Sequence, residues 1–342
     1  MKVVKRFAAI ALVIMVIVGV LGLSACGTKQ EGTTGEIKAA LIMPGVHTDF
    51  GWNYVGFTAL ANLKAKMPEV KKIDYTELVE PGAAEKTIRD YIAGGYNLIF
   101  VLGYQYKEGV DRVVAEKPAN VHIAVCEGSD KDLIAGLVSY YEPKGNTASY
   151  ILGVLAAGMS KTGKVGVISG MESVDVNRDL AGFKPGVEGY DNGKQQVTNS
   201  VVGRWDDPAQ GKTVAEGMIN AGVDVIYCMG DGTSLGVMQA VQEARAANKD
   251  IYYIGYPSDQ HAAFNDVVLT SIVYDWNDAY LNLAKDVLNG SFGKQGYSIS
   301  IDKGVTIAPF YQFEDAVPAA LKAKMDDVKA KIIKGDLKVP ET

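Results

Sequence analysis

The chain has 342 residues, 48% hydrophobic and 22% charged, with 40 acids against 34 Lys and Arg for a formal charge of −6. That acidity argues against a nucleic-acid partner, whose affinity rests on cations meeting phosphates. Three cysteines and three histidines leave little material for a metal centre or a disulfide framework, and a length beyond what one core organises makes two lobes the default.

Residues 1–25 read as a secretory signal. Lys2, Lys5 and Arg6 precede the apolar run Phe7 to Leu23, and Leu23-Ser24-Ala25-Cys26 sets small residues before a cysteine. The Leu-x-x-Cys ending resembles the bacterial lipobox, which implies cleavage before Cys26 and acylation of its thiol. The alternative is an uncleaved helical anchor, for which the apolar run is short. Residues 26–35 hold the lipidated cysteine and the small, polar tether "GTKQEGTTG". Loss of the three cations with the signal takes the formal charge from −6 to −9.

Short apolar segments rich in Val, Ile and Tyr then alternate with longer amphipathic ones. The spacing predicts strands near 37–43, 72–79, 97–103, 121–126 and 134–140, with helices near 52–67, 82–94, 106–117 and 145–160. The series resumes with strands at 164–169, 196–202, 223–229, 251–256 and 268–274 and helices near 175–189, 208–221 and 234–247. A helix near 276–289, a two-part extended stretch in 296–309 and a helix near 318–334 complete it. Strand–helix alternation implies mostly parallel sheets covered by helices on both faces, an α/β fold of two similar lobes. We expect an N-terminal lobe of 36–142 plus about 257–306 and a C-terminal lobe of 143–256 plus about 307–342. Crossings are expected near Tyr140 to Gly145, Gly255 to Asp259 and Val305 to Pro309. Cys126 and Cys228, each in an apolar run, read as buried small hydrophobes.

Ligands of open parallel sheets bind beyond the carboxyl ends of the strands. The loops there are "HTDFGWNY", "GYQY", "CEGSD", "SYYEP", "SGMESVDVNR", "GRWDDP", "MGDGTS", "YPSDQH" and "YDWND". All three tryptophans, Trp52, Trp205 and Trp276, fall in this set, each within a few residues of an Asp. Any one of them could be a lid on the core. Together, rings that offer flat apolar faces and carboxylates that accept from N–H or O–H groups suit a flat, polar-edged heterocycle or a sugar. Asp206 and Asp207, before Pro208, serve equally well as helix caps. Tyr140 and Tyr141 either line the site or pack at a crossover, and Asn177 and Arg178 either contact ligand or decorate the following helix.

Other motifs fail. Gly230 to Gly236, "GDGTSLG", is one residue too long for a dinucleotide loop and carries Asp231 where a pyrophosphate would sit. Gly211-Lys212-Thr213 lies within a helical pattern and lacks the leading glycine of a phosphate loop. There is no Gly-x-Ser-x-Gly elbow, so no catalytic residue is nominated.

The lipobox, the run "SYYEPKGNTASYILGVLAAGMSKTGKVGVISG" (139–170), Gly182-Phe183, "GDGTSLGVMQA" and Ser258-Asp259-Gln260 together resemble the basic membrane protein family. The resemblance implies a solute-binding lipoprotein of an ABC importer with a type I periplasmic-binding-protein fold. It implies no cofactor, a monomer held at the extracytoplasmic face of the membrane by its lipid, an ABC permease as partner, and a purine nucleoside or related ligand. In the nucleoside-binding branch an Asp-x-x-Phe-Asn segment, an Asp-Ser-Asp-Gln turn and a late lysine hold the ligand. Here Asp49 and Asn53 remain with Trp52 in the aromatic place, Pro257 replaces the first Asp of the turn, and Tyr274 stands at the lysine. "GWNY", "WDDP", Asp231 and Trp276 are closer to a branch that binds a free base, adenine in particular.

The expected site is therefore a base stacked between Trp52 and Trp205. Asp49, Asn177 and Asp231 would supply hydrogen bonds, and Phe50, Asn53, Tyr140, Asp259 and Trp276 would complete the walls. A nucleoside is the alternative ligand. Alternatives of other classes are an α/β hydrolase acting on a base or nucleoside and a lipid-anchored sensor or adhesin.

Overall fold

A computed structural model describes residues 35–191 and 193–341; the signal, Cys26 and nearly all of the tether lie outside the described residues. The first half runs β1 (Ile37–Ile42), α1 (Trp52–Lys66), β2 (Val70–Thr76), α2 (Ala84–Ala93), β3 (Leu98–Val101), α3 (Lys107–Val114), β4 (His122–Cys126) and β5 (Val138–Pro143). The second runs α4 (Asn146–Met159), β6 (Lys164–Ser169), α5 (Val174–Glu188), β7 (Gln196–Val201), α6 (Pro208–Asn220), β8 (Val225–Met229), α7 (Ser234–Ala246), β9 (Tyr252–Gly255) and β10 (Val268–Tyr274). Then follow α8 (Asn277–Asn289), β11 (Tyr297–Ile299), β12 (Val305–Ile307) and α9 (Ala319–Lys334). The strands form two six-stranded sheets, ordered β11-β5-β4-β3-β1-β2 and β12-β10-β9-β8-β6-β7. Pairing is parallel throughout except that β12 runs antiparallel to β10. The expected α/β architecture of two like halves is present.

Central strands such as β3 (LIFV) and β8 (VIYCM) are buried at every residue, as a sheet covered on both faces requires. Cys126 and Cys228 are free and buried in these sheets, and burial pushes both thiols up. In the second half α4 and α5 approach so closely that glycines are obligatory. A Cβ on Gly182 would lie 2.0 Å from the Asn146 carbonyl oxygen, and one on Gly186 2.2 Å from that of Tyr150. That contact fixes α5, whose first turns carry Asp175, Arg178 and Asp179.

Two expectations are corrected. The strand expected at 134–140 is β5, Val138–Pro143, because Gly136 (φ +77°) turns the chain and Val138 N–H bonds back to the Ile134 carbonyl. The segment 268–274, assigned in advance to the first lobe, is β10, which hydrogen-bonds beside β9 in the second sheet. The chain therefore does not cross at 255–259. It passes from the first sheet to the second after β5, returns between β10 and α8, and crosses again between β11 and β12. Helix α8 packs on α1 and β11, so it belongs with the first sheet.

Candidate ligand-binding crevice

The loop after β1 is held by its own polar side chains. Asp49 Oδ1 accepts from the amides of Gly51 (2.8 Å) and Tyr54 (3.2 Å), and Oδ2 accepts from Asn53 Nδ2 at 2.6 Å. Asn53 Oδ1 in turn accepts from Gly45 N–H at 3.1 Å. Asp49 and Asn53 thus satisfy the orphan amides at the start of α1 and close the loop, a structural task that consumes the acceptors expected to meet ligand. Phe50 sits at φ +55°, with its ring exposed beside Tyr54.

Across from this loop stands the second half. Asp231, following β8, accepts from Trp52 N–H at 2.9 Å, and the Phe50 carbonyl accepts from Ser258 Oγ and from Gln260 Nε2. A Cβ on Gly51 would fall 2.1 Å from Asp231 Oδ1, so only glycine allows this approach. The carboxyl-end loops of both sheets are in direct contact, and the residues they bring together form a buried seam between the halves.

Its core is aromatic. The Trp52 indole meets Trp276 edge to face, centroids 4.8 Å apart, and Tyr274 at 6.0 Å. Tyr256, from the end of β9, lies 6.4 Å from Trp52 with the two planes only 12° from parallel. Tyr141 flanks Trp276 at 5.6 Å. Trp276 is 1% exposed, and its Nε1–H has no hydrogen-bond partner among the described residues. Indole N–H groups are normally paired when buried.

Acids surround the rings. Tyr256 Oη donates to Asp175 Oδ2 at 3.0 Å and Tyr274 Oη to Asp179 Oδ2 at 2.8 Å. Asp179 Oδ1 is buried without a partner among the described residues, and burial pushes this carboxyl up to about 8. Arg178 bridges the halves. It donates to Glu127 Oε2 (2.9 Å) and Glu142 Oε1 (3.1 Å) and to the Pro143 carbonyl (2.7 Å). Burial drives the Glu127 carboxyl up even against the arginine's charge. Burial opposes the Arg178 charge too, but Glu127 and Glu142 outweigh it and hold the guanidinium above its ordinary value. For Asp231, burial and then the neighbouring Asp49 push the carboxyl well up.

Of the residues nominated from sequence, the structure brings together Trp52, Trp276 and Asp231, with Asp49, Phe50 and Asn53 behind them in the loop. Trp205 is half-buried over Gly170 in the second half, where a Cβ would lie 2.4 Å from its ring; the ring nearly parallel to Trp52 is Tyr256 instead. Tyr140 packs on Gly128 and Gly296 and donates to Asp130 at 2.7 Å, so Tyr141, one residue on and facing the other way, is the one beside Trp276. Asn177 is exposed, whereas Asp175, Arg178 and Asp179 share the inward face of α5 at helical spacing. Asp259 accepts from His261 N–H (3.1 Å) and Tyr311 Oη, so its own side chain turns to residue 311 while Ser258 and Gln260 beside it meet the Phe50 carbonyl. Sequence reading missed Tyr256, Asp175, Asp179 and Glu127; the 3–4 spacing along α5 was the available signal.

A two-sheet α/β body whose facing loops meet is the fold of ABC-importer solute-binding proteins and of some transcription regulators. A solute-binding protein of Aeropyrum pernix K1 has this fold, superposing with a TM-score of 0.81 over 90% of this chain and 94% of that one at 21% identity. The family model of PnrA-like ABC transporter substrate-binding proteins, Bmp, matches residues 36–342, and the chain belongs to that family. It is 28% identical to a CD4+ T-cell-stimulating antigen of Listeria monocytogenes, over 98% of this chain and 99% of the relative. It is 29% identical to a purine-binding protein of Brucella abortus, over 88% of this chain and 82% of the relative. The protein is thus a substrate-binding component of an ABC transporter, which binds a small molecule and delivers it to a permease, and not an enzyme. Among the described residues no helix is long and apolar enough to cross a membrane.

Proposed function

We propose that the chain is an extracytoplasmic receptor for a purine base, adenine in kind, held between Trp52 of one half and Tyr256 of the other. The observation that carries this reading is the near-parallel ring pair. Its 6.4 Å centroid separation is an upper bound on the gap between the planes and falls short of the roughly 7 Å that two van der Waals contacts to an intervening flat ring need, so the rings part slightly to admit the base. Stacking is worth about 1–3 kcal/mol per contact, so two faces supply about 2–6 of the roughly 8 kcal/mol that micromolar affinity requires. The remainder falls to directed bonds. Asp231 Oδ2, which has no hydrogen bond among the described residues, is placed to accept from a ring N–H or exocyclic amine, with Trp276 Nε1–H as a donor.

The two sheets act as lobes joined by the three connections, and ligand contacts from both favour the closed arrangement that a permease reads. The receptor works as a monomer, anchored through a lipid on Cys26. A purine nucleoside is the second reading, favoured by the unpartnered Asp179 Oδ1, which carries the proton near neutral pH and would donate to a sugar hydroxyl. A thermal-shift panel of bases, nucleosides and sugars tests both. Ligand that binds the native state raises the melting temperature by mass action. Adenine is expected to give the largest shift; a shift confined to sugars would remove the purine reading.

A further inference from the structure

Two carboxyl groups from opposite halves meet on consecutive amides of one loop. Asp49 Oδ1 accepts from Gly51 N–H and Asp231 Oδ1 from Trp52 N–H. Asp49 is 7% and Asp231 8% exposed, and the Gly51 approach leaves no room for a side chain between the loop and Asp231. The groups facing the pair do not neutralise it. From α1 come the amides of Trp52 and Tyr54 and the amide of Asn53; from α5 comes a further acid, Asp175; from β8 comes the Cys228 thiol. No Lys, Arg or His forms an ion pair with either carboxylate among the described residues.

We infer that Asp231 takes up a proton beside Asp49 when the two halves meet, so that closure is coupled to proton uptake and this seam is a pH-sensitive latch. Two buried like charges cannot both ionise cheaply, and separating the halves returns Asp231 to water and removes the conflict. The sign follows from linkage. Both carboxyls are raised in the closed form, Asp49 by burial and Asp231 by burial and then by Asp49. The closed form therefore holds the extra proton. Its advantage is complete below the ordinary aspartate value of about 4 and is lost as pH rises through the raised one.

Small-angle scattering of the ligand-free protein from pH 5 to 9 reads the latch without any purine, so the result is independent of which solute the crevice takes. The radius of gyration is expected to grow as pH rises. In Asp231→Asn, whose amide oxygen keeps the acceptor for Trp52 N–H and which carries no charge to titrate, it is expected to stay at its low-pH value. A wild-type radius constant across the range, or an Asp231→Asn variant that expands with the same midpoint, overturns the inference. Carboxyl carbon NMR of the wild type keeps the test open if the variant fails to fold. One aspartate of the pair should stay protonated to higher pH than an ordinary aspartate, and both titrating near 4 would refute the latch.

Discussion

Trp52→Ala is expected to weaken purine binding by about ten- to a hundredfold, since one stacking face is worth about 1–3 kcal/mol and each 1.4 kcal/mol is a factor of ten. The indole also packs on Trp276 and Tyr274 and is 8% exposed, so the truncation opens a void in the aromatic core. A loss of about 3–5 kcal/mol of stability accompanies it. Trp52→Phe separates the two effects, because it keeps a ring against Tyr256 and most of the buried volume. Titration calorimetry with both variants is the check. Binding within about tenfold of wild type for Phe and a clear loss for Ala is the expected pair. An unchanged dissociation constant in a folded Trp52→Ala protein would take Trp52 out of the site.

Arg178→Met should cost nearly as much in stability by a different route. Arg178 is 7% exposed, and its guanidinium is the cation that Glu127 and Glu142 share. Removing one partner of a buried ion pair costs about 3–5 kcal/mol, because the remaining charge stays buried. For a chain of this size that corresponds to a fall of about 5–8 °C in melting temperature. Glu127 sheds the cost by taking a proton. The deficit relative to wild type should therefore be largest at pH 8 and shrink towards pH 5. Thermal melts at the two values decide it; a deficit that is small, or equal at both, would mean that the arginine does not hold the halves together.

The sheets were legible because burial on both faces writes continuous apolar runs, and the helices because their apolar spacing repeats. The errors have physical causes. Gly136 turns the chain where composition reads as strand, which displaced β5 and exchanged the roles of Tyr140 and Tyr141. Strand β10 was assigned to the wrong sheet because an apolar run states that a strand is buried and not which neighbour it pairs with. The edge that carries the site was visible as a concentration of tryptophan and aspartate in the carboxyl-end loops. Which ring faces which was not. Tyr256 sits among Tyr252, Tyr253 and Tyr274, and only three-dimensional pairing sets it nearly parallel to Trp52. Asp49 was visible as an acid beside a tryptophan, but its service to the Gly51 and Tyr54 amides depends on a loop conformation that no spacing rule encodes.

A crystal structure of the protein grown with adenine tests the central claim most directly. The base is expected to lie flat between Trp52 and Tyr256, with an N–H group directed at Asp231 Oδ2. A base bound away from this ring pair, or Trp52 and Tyr256 closed on each other with the ligand elsewhere, would contradict it.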